Sequence, residues 1–126
     1  MPEYDSRQFR PPAPVARVVL RTRNHSASIS DVPMLIDSGS DVTLLPEACA
    51  VSLGLEAEAE TDFLLTGFDG SKSQARVVTA ELAFEGKTFR GRYLLIEQDY
   101  GVLGRNVLNG LRLTLDGPWQ TRNLDH

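Results

Sequence analysis

Turn signals at short intervals are the feature that most constrains how this 126-residue chain can fold. Asp69-Gly70 and Gly86-Lys87 are typical of tight hairpin turns, because glycine adopts positive φ without a steric penalty. Between such turns β-branched and large apolar residues predominate, and Leu111, Leu113 and Leu115 alternate with polar neighbours as in a half-buried strand. The pattern predicts about seven short strands, two short helices and no long repeat. We therefore expect an all-β sandwich or a closed β-barrel.

Two short helices interrupt the predicted strands. Pro46 suits the first turn of a helix over residues 47–53, and Gly54 would end that helix. A second helix is expected over residues 104–109. The strands are expected at residues 15–20, 27–36, 42–45, 61–66, 73–80, 81–85, 88–96 and 111–115.

One domain is expected over residues 15–118, a length that can bury a hydrophobic core. Residues 1–14 contain four prolines and little periodicity, so they are expected to form a flexible N-terminal arm. Residues 119–126 are expected to form a C-terminal tail, in which Trp119 packs either on its own subunit or at an interface between subunits.

Charge and hydropathy exclude two classes of partner. The net charge is -4 and the basic residues are scattered, which argues against nucleic-acid binding. The longest apolar run, residues 93–96, is far shorter than the roughly 20 residues that a membrane span needs. The N-terminus is polar and unlike a secretory signal, so we expect a soluble, cytoplasmic protein.

Cysteine and histidine are too sparse to indicate thiol or metal chemistry. Cys49 is the one cysteine, so no disulfide within the chain is expected. A cysteine nucleophile needs a histidine partner, and His25 and His126 stand in an expected turn and at the last position. Cys49 is therefore expected to be a small core residue, and neither a metal nor a cofactor is expected.

An acid at the end of an apolar strand is the first feature that points to chemistry. Met34-Leu35-Ile36 leads directly into Asp37-Ser38-Gly39. A carboxylate in that place is costly unless it is hydrogen-bonded, solvated in a cleft or shared with another charge. Ser38 offers a hydroxyl that donates and accepts, and Gly39 leaves room for another backbone. An aspartate that caps its own turn would give the same pattern, because such triplets also occur in ordinary turns.

A fixed cation follows a second apolar strand. Gly101-Val102-Leu103 is followed by Gly104 and Arg105, and the guanidinium of Arg105 can make a bidentate pair with a carboxylate. Asp41 is the expected partner. The pair is expected to be buried and to brace the loop that carries Asp37. The alternative is an exposed pair worth less than about 1 kcal/mol.

Taken together, the two segments resemble the retroviral-type (retropepsin-like) aspartic peptidases. That family has an Asp-Thr/Ser-Gly motif after an apolar strand, and Asp37-Ser38-Gly39 matches it. It also has a Gly-Arg-Asp/Asn block near the C-terminus, and Val102-Leu103-Gly104-Arg105-Asn106 matches that block. The resemblance covers roughly residues 15–118 and implies a single-lobe acid-protease barrel with one or two short helices and a flap hairpin.

The resemblance also implies roles for single residues. Asp37 would be the catalytic aspartate, Ser38 would lock the two active-site loops of a dimer together, and Gly39 would lie where the substrate backbone passes. Asp41 and Arg105 stand where the family pairs an acid with an arginine.

A flap that closes over the substrate is implied for residues 61–80. Its substrate-binding tip would consist of Gly67, Phe68, Asp69 and Gly70, and this tip is more polar than many family flaps. The apolar substrate pockets would be lined by Leu44, Leu45, Phe68 and Val102.

The chemistry of this family needs two carboxylates that hold one water, one ionised and one protonated. The chain has one Asp-Ser-Gly triplet, so the resemblance implies a homodimer in which two copies of Asp37 share the site. The expected function is an endopeptidase that acts on a peptide or protein substrate. The alternatives are a catalytically silent dimerisation or peptide-binding module of the same fold, and an enzyme active only within a longer precursor.

Overall fold

The computed structural model describes residues 4–58, 64–66, 72–74 and 76–125, and they form eleven strands and two helices. The helices are α1 (Glu47–Leu53) and α2 (Arg105–Leu108). The strands are β1 (Tyr4–Asp5), β2 (Ala13–Arg21), β3 (Ser28–Ile36), β4 (Leu44–Pro46), β5 (Leu64–Thr66), β6 (Lys72–Gln74), β7 (Val77–Phe84), β8 (Lys87–Ile96), β9 (Gly101–Leu103), β10 (Arg112–Asp116) and β11 (Thr121–Asp125).

Six of these strands close into a barrel. Their order around it is β2, β3, β9, β4, β8 and β7, and β7 pairs back onto β2. The β3–β9 and β4–β8 pairs are parallel, and the other neighbouring pairs are antiparallel. The predicted all-β barrel is confirmed, and closure leaves none of the six strands as a free edge.

Alternate side chains of the barrel strands point inwards, as the pleat of a strand requires. Several of them have 0% relative exposure: Val18, Leu20, Met34, Leu82 and Leu103. Helix α1 covers this core with Ala50 and Leu53. Full burial of a side chain of this size contributes about 1.5–3 kcal/mol, so the core accounts for much of the driving force for closure.

A buried carboxylate lies at the seam where β7 closes the barrel onto β2. Glu81 is 1% exposed and stands opposite Arg21 on one side and Arg90 on the other. Its Oε2 lies 3.5 Å from Arg21 Nε and 2.7 Å from His25 Nε2, and its Oε1 lies 2.5 Å from Arg90 Nε. The hydrogen bond from Arg90, helped by the charge of His25, lowers the pKa of Glu81 from its ordinary value of 4.5. Because a buried charge must be paired, the seam depends on these three basic side chains.

Helix α1 has the bounds that the sequence predicts. Pro46 precedes it with an extended backbone, and Gly54 ends it in the left-handed conformation with φ 68°. The Gly54 N–H donates to the Val51 carbonyl at 3.1 Å, and the Leu55 N–H donates to the Ala50 carbonyl at 2.9 Å. Glycine suits this position because it has no Cβ to oppose positive φ.

The segment predicted as a flexible N-terminal arm begins, from Tyr4, with the short strand β1. β1 pairs with the start of β2, where Asp5 stands opposite Ala13. Asp5 Oδ1 accepts hydrogen bonds from the backbone N–H groups of Gln8 and Arg7, which turn the chain back and lower the pKa of Asp5. The Phe9 ring then meets the Tyr100 ring edge-on, with centroids 4.8 Å apart.

Near the C-terminal end of the described residues, β10 and β11 form a hairpin that spans the boundary predicted at residue 118. Arg122 of β11 is 9% exposed, and its guanidinium lies 4.9 Å from the centre of the Phe84 ring. Its Nε donates to the Val15 carbonyl at 3.5 Å, so this side chain attaches the hairpin to the barrel. At the turn of the hairpin, Trp119 is 79% exposed.

Strand β7 is continuous, although the sequence pattern predicts two strands that meet at residue 80. In the sequence, a charged residue such as Glu81 is typical of the start of an exposed strand. In the structure the basic side chains at the seam pair with it, so it is buried in the middle of β7. The β7–β8 hairpin turns at Glu85 and Gly86, which both have positive φ. None of the helices in the described ranges is long and apolar enough to cross a membrane.

A separate hairpin stands where the resemblance implies a flap. β5 and β6 pair in antiparallel fashion, with Leu64 opposite Gln74 and Thr66 opposite Lys72. The predicted tip residues, Gly67, Phe68, Asp69 and Gly70, lie outside the described residues.

Candidate active site

The loop of residues 37–43 crosses over the end of β9. β9 lies between β3 and β4 in the barrel, pairing with β3 through Ile36 and Leu103 and with β4 through Leu44 and Val102. The chain must therefore pass from one flank of β9 to the other between Asp37 and Thr43. This crossing brings the loop against the segment of residues 103–106, which continues from β9 into α2.

Asp37 is held at the first position of this loop. Its backbone N–H donates to the Leu103 carbonyl at 3.1 Å, and its carbonyl accepts from the Ser40 N–H at 3.1 Å. Carboxylate Oδ1 accepts from the Gly39 N–H at 2.9 Å. The side chain is half-buried, while Ser38 and Gly39 are exposed. A carboxylate fixed by a backbone amide yet open to solvent can bind a water and exchange a proton with it.

Gly104 allows the close approach of the loop to β9. A Cβ at this position would lie 2.0 Å from the Val42 carbonyl oxygen and 2.9 Å from the Ser40 carbonyl oxygen. Both contacts are with backbone, so no side-chain rotation could relieve them. The glycine is therefore a steric requirement of the crossing.

Arg105 braces the loop, but not through the predicted partner. Its backbone N–H donates to the Ser40 carbonyl at 2.8 Å, and its guanidinium Nη1 donates to the Ser38 carbonyl at 2.9 Å. Asp41 and Arg105 are both exposed, and the ion pairs of the described residues do not include one between them. The predicted buried pair is thus corrected: Arg105 has a loop carbonyl within reach, and Asp41 stays in solvent.

Thr43 and Asn106 form a contact that sequence reasoning missed. The Thr43 side chain is buried, with 1% exposure for the residue. Its Oγ1 accepts from the Gly104 N–H at 3.0 Å and donates to Asn106 Oδ1 at 2.6 Å. The one signal in the sequence is that Thr43 is a polar residue among apolar neighbours directly after the loop. The pattern alone predicts an ordinary strand residue at this position.

Other predicted residues lie as follows. Leu45 is 1% exposed in the main core, so it does not line a pocket as expected, whereas Leu44 is half-buried and Val102 is 9% exposed. Cys49 is half-buried against the core, and burial raises the pKa of its thiol. Within the described residues, no cluster of three or more His, Cys, Asp or Glu side chains could hold a metal ion.

The sequence matches the family model described as aspartyl protease over residues 26–107, which include both the loop and the segment that supports it. No curated protein sequence matches the chain.

Solved structures with a similar fold are retroviral and bacterial proteases. The EIAV protease, in complex with the inhibitor HBY-793, has a TM-score of 0.61 and 19% identity, covering 78% of this chain and 86% of that one. A retropepsin-like aspartic protease from Rickettsia conorii has a TM-score of 0.59 and 17% identity, covering 86% and 79%. The protease of Simian Foamy Virus (mac) has a TM-score of 0.53 and 19% identity, covering 75% and 91%. These likenesses establish a retropepsin-like fold.

Proposed function

Because the chain belongs to the aspartyl protease family, we propose that it is an aspartic endopeptidase in which two copies of Asp37 activate one water. The observation that carries the proposal is the half-buried Asp37 carboxylate, held by the Gly39 amide at the end of a core strand. It stands within the part of the chain that matches the family.

The reaction needs two carboxylates in different protonation states. One removes a proton from the water, and the other donates a proton to the carbonyl oxygen of the scissile peptide bond. Two carboxylates at close range cannot both ionise easily, so the pair titrates as a unit. One chain contributes a single Asp-Ser-Gly triplet, and a second copy is therefore part of the proposal.

The neighbours of Asp37 have supporting roles in this proposal. Ser38 is exposed at the loop tip, which suits a hydroxyl that bonds across to the second copy. Gly39 presents no side chain to an extended peptide that passes over the carboxylates. Arg105 fixes the loop through the Ser38 carbonyl. Asp41 is exposed, so its side chain is available to contact the substrate. Contact with the bound peptide is also part of the proposal for the predicted tip residues, Gly67, Phe68, Asp69 and Gly70.

The C-terminal hairpin supports the proposal of a dimer. Leu115 and Trp119 are 48% and 79% exposed, and contact with a second copy would remove their apolar surface from water. Leu115 stands opposite Arg122, whose side chain attaches the hairpin to the barrel, so the apolar surface sits on a fixed element. We propose that residues 119–126 meet the second copy.

The test is cleavage of a mixed peptide library between roughly pH 3.5 and 7.5 by the wild type and Asp37→Asn. Asparagine keeps the shape of the side chain and cannot act as a general base, so turnover should fall by more than about 10³-fold. Asp31→Asn is the matched control, because Asp31 is an exposed acid on β3, the strand that precedes Asp37, and asparagine tolerates its positive φ of 57°.

Sedimentation equilibrium, run on the same samples, should find dimers. A folded wild-type dimer that cuts nothing in the library would refute the endopeptidase and favour the silent peptide-binding module. A strictly monomeric wild type that cleaves would refute the shared carboxylate pair.

A further inference from the structure

We infer that Thr43, with Asn106 as its acceptor, is a positioning residue that holds the Asp37 loop in its reactive geometry. The inference rests on the proposed function, because the geometry in question is that of the Asp37 carboxylate during turnover. Neither residue touches the reacting atoms in this account. They act through the backbone that carries Asp37.

The Thr43 hydroxyl is fully used. A hydroxyl has one proton to donate and lone pairs that accept. The Gly104 N–H occupies a lone pair at 3.0 Å, so the proton must point elsewhere, and Asn106 Oδ1 receives it at 2.6 Å. With 1% exposure at Thr43, water cannot replace either partner without opening the structure.

The loop is attached to the segment of residues 103–106 at its start, middle and end. Asp37 N–H bonds to the Leu103 carbonyl at the start, and the Ser40 carbonyl accepts from Arg105 N–H in the middle. Thr43 Oγ1 makes the attachment at the end. The segment is only four residues long, so a shift of Gly104 moves the neighbouring attachment points as well.

Loss of the Thr43 hydroxyl would therefore change the position of Asp37. The Gly104 N–H would lose its buried acceptor, and the segment would move to find another or to admit water. Because Leu103 and Arg105 flank Gly104, the attachments of Asp37 and Ser40 would move with it. A misplacement of about 1 Å can cost on the order of 10²-fold in rate even when it arises away from the reacting atoms.

A purely structural role for Thr43 would give a different result. In that case its replacement would lower the stability of the barrel and leave turnover by the folded fraction unchanged. Val78 provides the comparison, because it is 0% exposed in barrel strand β7. It lies outside the loop, the segment that supports the loop, and the β5–β6 hairpin that stands where a flap is implied.

The experiment compares Thr43→Val, Thr43→Ser and Val78→Ala in the 126-residue protein, at a temperature where each is folded. We expect Thr43→Val to lower kcat by about 10- to 100-fold with KM within about threefold of the wild type. Thr43→Ser restores the hydroxyl and should recover kcat. Val78→Ala should lower the melting temperature while kcat stays unchanged. If Thr43→Val fails to fold, Asn106→Ala takes its place, since Asn106 is exposed and its loss removes one of the two bonds.

Amide hydrogen exchange on the same variants separates this inference from the proposed function. The Asp37 and Arg105 amides should exchange at least about tenfold faster in Thr43→Val than in the wild type, with no change at Val18 in the barrel core. An inactive wild type would refute the peptidase and with it the role of Thr43 in turnover, whereas the exchange pattern would still show that Thr43 holds the loop. A Thr43→Val protein with wild-type kcat and wild-type exchange would overturn the inference, as would a Val78→Ala protein with the same loss of kcat.

Discussion

Replacing Gly104 with alanine should displace the Asp37 loop where it crosses β9 and destabilise the fold. The added Cβ would lie 2.0 Å from the Val42 carbonyl oxygen and 2.5 Å from the Val42 carbonyl carbon. Contacts of a Cβ below 3.0 Å are essentially never seen, so the backbone of the loop must withdraw by about an ångström. Withdrawal would stretch the bonds that the loop makes to Leu103 and Arg105.

The expected cost is about 3 kcal/mol in the free energy of unfolding, the upper end of the usual range for overpacking. We choose the upper end because the atoms that must move belong to backbone that is hydrogen-bonded on both sides. For a domain of this length, the melting temperature should fall by roughly 12 °C. Peptide cleavage should also disappear at temperatures where the variant is still folded.

Gly91→Ala is the matched control, because Gly91 lies in β8 and a Cβ there would meet nothing within 4 Å. That change should be neutral, or stabilising by up to about 1 kcal/mol, through its effect on the unfolded chain. Urea denaturation followed by circular dichroism measures both variants. A Gly104→Ala protein within about 0.5 kcal/mol of the wild type would refute the steric argument.

Two further predictions concern ionisable groups outside the loop. The lowered pKa of Glu81 means that its ion pairs stabilise the fold above its ordinary pKa of 4.5, and that this stability is lost as the pH falls through the pKa of the folded protein. Calorimetry should therefore find Glu81→Gln less stable than the wild type at pH 7, with a gap that narrows towards pH 3, and a constant gap would contradict the argument. Burial raises the pKa of Tyr93 to about 12, so its contribution to stability falls as the pH rises from about 10 through 12. Alkaline absorbance titration should show one late phenol that Tyr93→Phe removes, and ionisation of all tyrosines near pH 10 in the folded protein would contradict the burial of this ring.

Local signals were enough to predict the elements that the local sequence specifies. Helix α1 follows from Pro46 and Gly54, whose backbone preferences act within one turn of each residue. The position of Asp37 directly after a core strand follows from the apolar residues before it and the small residues after it. An all-β sandwich or a closed barrel was predicted as a class, because frequent turns leave few other ways to bury short apolar strands.

The features that the sequence did not reveal depend on residues far apart in the chain. Burial of Glu81 requires Arg21 from β2 and Arg90 from β8. Neither residue is near Glu81 in the sequence, so the sequence around Glu81 predicts an exposed position. Asp41 reads as the natural partner of Arg105, yet the Ser38 carbonyl takes the guanidinium because the crossing loop places it there. The contact of Phe9 with Tyr100 likewise joins residues far apart in the chain, and periodicity cannot anticipate it.

The crossing of the loop over β9 has a consequence for the time at which activity can begin. A ribosome adds Asp37 early, but the residues that hold its loop, from Leu103 to Asn106, come much later in synthesis. At about 5 to 20 residues per second, the roughly 70 residues in between take on the order of 3 to 14 s to add. Throughout that interval the nascent chain carries its carboxylate on an unsupported strand end. The proposed proteolysis therefore has to wait until residues 103–106 have been added and have folded against the loop.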